Sequence, residues 1–84
     1  MIEANLQSEE GGSPLKALRE RLGISQEELA RRLGTSVVSI SRWERGAKPM
    51  SLTVPQMLSL VRELRSVDWD IEDFLRWESA YEAA

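Results

Sequence analysis

The sequence predicts an all-α domain of five short helices, and three observations carry that prediction. Apolar residues recur at helical spacing, as in Leu15, Leu18 and Leu22. The segments between these runs carry helix-start residues (Ser13-Pro14, Ser25, Ser36, Pro55) and helix-stop glycines (Gly23, Gly34, Gly46). Eighty-four residues, 42% of them apolar, suffice for one modest core and leave little room for a second.

Residues 1–12 are polar and acidic and end in Gly11-Gly12, which reads as a disordered acidic leader to a domain spanning 13–84. An arm that followed a nucleic acid would need arginine or lysine, and this leader has neither. Ser13 then serves as N-cap with Pro14 at the first helical position, and Gly23 closes the first helix. Ser25 starts the second helix, and Glu28 three residues on completes a capping box. Leu29, Ala30 and Leu33 form its inward stripe, and Gly34 supplies a left-handed turn. A third helix follows Ser36 and runs to about Arg45, with Ile40 and Trp43 inward. Gly46 and Lys48-Pro49 end it.

Residues 49–54 read as a loop and Pro55 as the start of a fourth helix. Its expected apolar stripe is Val54, Met57, Leu58, Val61 and Leu64, widened by Leu60. A fifth helix is expected from Asp68 or Asp70 to Ala80, with Ile71, Phe74 and Leu75 inward and Glu72 and Asp73 at its positive N-terminal end. Trp77 and Tyr81 continue one side of it.

Composition removes several classes of chemistry. With no histidine and no cysteine there are no zinc fingers, thiol nucleophiles, disulfides or His-based acid–base pairs, so no enzyme, metal or cofactor is expected. Asp68, Asp70, Glu72 and Asp73 lack the glycine and terminal glutamate of a calcium loop and read as helix-end charges. No apolar run reaches membrane-spanning length and the N-terminus has no signal-peptide pattern, so the expected location is cytoplasmic, with no membrane partner.

The net charge of −3 conceals its own distribution. Residues 1–14 hold three glutamates and no base. Residues 15–48 hold eight basic against four acidic side chains, and residues 49–84 three against seven. All surplus positive charge therefore lies in the segment with the Gly34 break, a footprint suited to a polyanion.

That segment carries a resemblance. Leu15-Lys16-Ala17-Leu18-Arg19, Ser25-Gln26-x-x-Leu29-Ala30-x-x-Leu33-Gly34 and Ser39-Ile40-Ser41-Arg42-Trp43-Glu44-Arg45-Gly46 together resemble the helix-turn-helix domain of the Cro and phage-repressor type, the xenobiotic-response-element family of bacterial regulators. The likeness covers residues 15–64. It implies a lambda-repressor-like five-helix domain with the helix-turn-helix at helices two and three. It further implies a sequence-specific regulator of transcription that places the third helix in the major groove of double-stranded DNA, as a homodimer.

Ser36, Val37, Val38, Ser41 and Arg42 are then the DNA-facing candidates, and Gln26 resembles the family residue that holds a phosphate; the charges of Arg45 and Lys48 add phosphate attraction, against the reading of solvated surface charges. Arg42 suits guanine O6 and N7, while the valine methyls suit thymine methyl groups. The alternative for the valines is packing against another helix or a protein partner. Arg19 and Glu44 match positions of an inward ion pair, against the reading of two solvated charges. Trp77 and Tyr81 are candidates for the dimer interface, and the alternative is that they close the core. The competing function is an antitoxin or co-regulator whose helix-turn-helix mainly scaffolds a protein partner, which the acidic ends, the Val37-Val38 pair and the thinly basic loop after Gly46 favour.

Overall fold

The computed structural model describes residues 12–83. Among them lie five α-helices and no strand: α1 Pro14–Leu22, α2 Gln26–Leu33, α3 Val37–Glu44, α4 Val54–Ser66 and α5 Ile71–Ala83. The all-α prediction holds. The leader assigned to residues 1–12 lies, apart from Gly12, outside the described residues.

Side chains satisfy an orphan backbone donor at each helix start. Ser13, Ser25, Ser36 and Thr53 accept the N–H groups of Lys16, Glu28, Ser39 and Gln56, and Asp70 accepts that of Asp73 at 3.0 Å. Each such cap contributes about 1 kcal/mol. The capping box expected at Ser25 is made only in its first half. The Glu28 carboxylate turns to Arg31 and to Arg32 (Nε at 2.9 Å), because guanidinium groups bind an ionised carboxylate more strongly than one backbone N–H does. A reciprocal box forms instead at Thr53 and Gln56, where the Thr53 N–H donates to Gln56 Oε1 at 2.8 Å.

The core unites Leu15 and Leu18 of α1, Leu29, Ala30 and Leu33 of α2, Ile40 and Trp43 of α3, Leu60 and Leu64 of α4, and Phe74 of α5. Packing follows from it: α2 lies against α3, α1 against α3 and α5, and α4 against α2. The small Ala30 sits in the buried face where α2 meets its neighbours. Thus α3 is braced from behind by α1 and α2, with its far side toward solvent.

Two apolar stripes differ from expectation. On α4 the buried line is Leu60 and Leu64, four residues apart; Val54 and Leu58 form another line rotated well away from it and stand 77% and 57% exposed. On α5 the buried line is Phe74 and Glu78, so Leu75, about 100° further round, is exposed. The helix also runs one turn beyond Ala80, to Ala83. Among the described residues no helix is long and apolar enough to cross a membrane.

Candidate functional site

The side of α3 away from the core is an exposed face. Ile40, Trp43 and Glu44 are buried and fix one side of the helix. Val38 and Arg42, one turn apart, share the opposite line. Val38 is 52% exposed and Val37 38%. The Arg42 side chain is exposed and makes no hydrogen bond or ion pair among the described residues. Its guanidinium therefore keeps its donors for a ligand. Ser36 is exposed, but its hydroxyl already serves the Ser39 N–H at 3.1 Å and meets Ser39 Oγ at 3.1 Å. Ser41 is half-buried and accepts from Arg45 Nε at 3.5 Å. Arg45 and Lys48 are exposed at and beyond the end of the helix.

Behind this surface the last residue of α3 is held from several sides. Glu44 is buried, with Arg19 Nε at 2.7 Å from its Oε2 and Nη2 at 3.1 Å from its Oε1. The bond to Glu44 holds the Arg19 guanidinium above its ordinary pKa, against the opposing effect of burial. Gln26 Nε2 also donates to Glu44 Oε1, at 3.0 Å. Gln26 thus points one donor of its amide inward, and the second N–H of that amide is not used on Glu44.

The turn between α2 and α3 has a similar fastening. Gly34 closes α2 at φ +77°, in the left-handed region open to glycine. Its carbonyl accepts from Gln56 Nε2 of α4 at 2.8 Å. Arg32 of α2 also reaches Glu63 of α4 at 3.0 Å.

The last turns of α5 fasten the exit of α3 and the loop after it. Tyr81 donates its hydroxyl to the Glu44 carbonyl at 2.8 Å. Glu82 Oε2 accepts the Met50 N–H at 3.0 Å. Trp77 leans on Trp69, ring centroids 6.3 Å apart and tilted by 52°. Trp77 and Tyr81 are both half-buried. Thr53-x-x-Gln56 is a legible signal for the α4 start; nothing in the apolar pattern announces Gln26 and Tyr81 as tethers of α3, or Glu82 as a tether of the loop that follows it.

Glu78, on the same helix, is 5% exposed, and its Oε1 has no partner among the described residues. Burial, and then the neighbouring Glu82, push its carboxyl up to about 8. Burial likewise raises the Tyr81 phenol, with Glu78 and Glu44 adding to the effect.

A family model described as helix-turn-helix matches residues 15–70. That span runs from the first core leucine of α1 to the cap of α5 and includes the whole exposed face of α3. No curated protein and no solved structure is similar enough to the chain to match it.

Proposed function

The chain belongs to the helix-turn-helix family of the Cro and phage-repressor type, a DNA-binding family, and on that premise we propose that it is a sequence-specific transcriptional regulator acting as a homodimer, with α3 in the major groove of double-stranded DNA. The observation that carries this reading is the line of Val38 and Arg42, exposed on a helix whose opposite side is fixed by Ile40, Trp43 and Glu44. Arg42 forms two hydrogen bonds to a guanine edge, a pairing worth roughly 1–3 kcal/mol of discrimination. Val37 and Val38 have no polar side-chain atoms and meet thymine methyl groups.

Phosphates are met by Gln26, Arg45 and Lys48, with help from the N-terminal ends of α2 and of α3, the latter capped by Ser36. Each basic contact adds about one unit to the salt slope of binding. A single α3 covers few base pairs, so useful specificity comes from two half-sites and a two-fold dimer. Exposed apolar side chains are present on α4 and α5, at Val54, Leu58 and Leu75, and on other sides of α5 Trp77 and Tyr81 are partly exposed.

Selection of bound duplexes from a random pool tests the proposal, with an enriched palindrome as the expected result. Arg42→Ala leaves the helical circular dichroism unchanged and removes preference among sequences. An unchanged preference overturns the assignment of α3.

The exposed Val54 and Leu58 support a second reading, in which the domain is an antitoxin or co-regulator built around a protein partner. A stable complex with another small protein in the absence of DNA, together with no enriched duplex, favours it.

A further inference from the structure

We infer that Tyr81 is a positioning residue for the reading helix, so that the last turn of α5 belongs to the DNA-reading apparatus. The inference rests on the assignment of α3 to DNA and adds a residue to it. A helix ends with four carbonyls that lack intrahelical partners. At the end of α3 the chain satisfies three of them itself: Ser41, Trp43 and Arg42 accept the N–H groups of Arg45, Gly46 and Ala47 at 3.1, 3.2 and 2.9 Å. The fourth belongs to Glu44, and among the described residues it is Tyr81 that supplies its donor, at 2.8 Å.

The same ring occupies the space beside Gly46. A Cβ at position 46 would lie 3.2 Å from the Tyr81 hydroxyl oxygen, so the approach depends on glycine as well as on its φ of +74°. One residue further along α5, Glu82 holds the Met50 N–H. The exit of α3 and the loop that carries Lys48 are therefore fastened to α5 at two points.

Glu44 is consequently held at both ends. Its carboxylate is fixed to α1 and α2 through Arg19 and Gln26, and its carbonyl is fixed to α5. Loss of the first set leaves a buried charge unpaired. Loss of the second leaves the core intact, because α5 is held in it by Phe74, with Ile71 packed against it. What the hydroxyl adds is the angle at which α3 leaves the domain, and with it the placement of Arg42, Arg45 and Lys48. Tyr81 acts through Glu44 and touches no base.

The experiment uses the full chain and Tyr81→Phe, which keeps the ring and removes the donor. The probes are the duplex enriched from the random pool and a scrambled duplex of equal composition. Measurements are made at a temperature where both proteins are fully folded by circular dichroism. The expected result is about fivefold weaker binding of the enriched duplex, the scale of one net hydrogen bond, with binding of the scrambled duplex unchanged within about twofold. Amide resonances of Arg45, Gly46 and Ala47 in the free protein shift as well. A retained ratio between the two duplexes, or shifts confined to α5, overturns the inference while leaving the DNA assignment standing. A wild-type chain that enriches no duplex overturns the DNA assignment and this inference with it.

Discussion

Arg19 and Glu44 meet fork to fork, Nε to Oε2 at 2.7 Å and Nη2 to Oε1 at 3.1 Å, where α1 crosses the last turn of α3. The third guanidinium nitrogen, Nη1, donates to the Ile24 carbonyl at 3.2 Å, which anchors the entry to α2. One pair therefore sets the mutual angles of three helices. Both charges have largely left water, so the attraction is offset by desolvation, and the pair contributes orientation more than net stability.

That balance predicts an asymmetric response to substitution. Arg19→Met leaves a buried carboxylate with Gln26 as its remaining partner and lowers stability by about 3 kcal/mol. Adding Glu44→Leu removes the stranded charge and restores much of the loss. Urea midpoints at constant m-value measure both variants. Losses that simply add would show that the two residues do not act as a unit.

Glu78 gives the fold a pH dependence whose sign is fixed by its burial. The carboxyl has a folded pKa of about 8 against an ordinary 4.5, so the native state holds the proton more tightly than the unfolded chain. The associated stability is fully present below the ordinary value and is lost as pH rises toward about 8, at a slope of up to about 1.4 kcal/mol per pH unit. Glu28 runs the other way. Arg31 and Arg32 hold it below its ordinary range, so its contribution fails only as the solution becomes more acid. Thermal midpoints should therefore fall between pH 5 and 8 in the wild type. Glu78→Gln, which keeps the shape without the titration, should flatten that fall; an unchanged slope would place the dependence elsewhere.

Gly23 and Gly46 separate backbone strain from side-chain approach, because both are left-handed, at φ +72° and +74°. A Cβ at Gly23 meets nothing within 4 Å, whereas one at Gly46 meets the Tyr81 hydroxyl at 3.2 Å. Gly23→Ala should cost about 1–2 kcal/mol, the penalty of the conformation alone. Gly46→Ala should cost more, because the Tyr81 ring must also move. Chemical denaturation of the two variants decides the point: equal losses would mean that the contact is slack.

These examples also mark what was legible in the sequence. The starts of α1, α2 and α3 were readable because a cap is a local event, set by a serine and the N–H three residues on. The faces of α2 and α3 were readable because each narrow apolar stripe admits one inward direction. The face of α4 was not: Val54, Met57, Leu58, Leu60, Val61 and Leu64 surround much of the helix, and only packing against α2 selects Leu60 and Leu64 as buried. Glu78 was illegible for the opposite reason, since a glutamate in a helix normally marks solvent. The tethers on Glu44 from Gln26 and Tyr81 span 18 and 37 residues of chain, and no local pattern encodes them. The exposed face of α3 was legible as a place, but the commitment of the Ser36 hydroxyl to its own helix emerged only with the fold.

The valines at the start of α3 make the last prediction. Val38 is 52% exposed on the line of Arg42 and offers nothing but methyl groups to whatever it meets. If α3 enters the major groove, that side chain gains most from a thymine, whose 5-methyl projects there, and it cannot hydrogen-bond to any base edge. Replacing thymine by uracil at the half-site positions of the enriched duplex removes the methyl and keeps every hydrogen-bonding group. Binding should weaken about threefold to fourfold at the position Val38 touches, the scale of one buried methyl group. Val38→Ala should lose that sensitivity while changing stability by no more than about 0.5 kcal/mol, because the side chain is largely outside the core. A wild-type chain indifferent to uracil at every thymine of the site would place the Val38 methyls away from the base edges, and the apolar start of α3 would then belong to a protein contact.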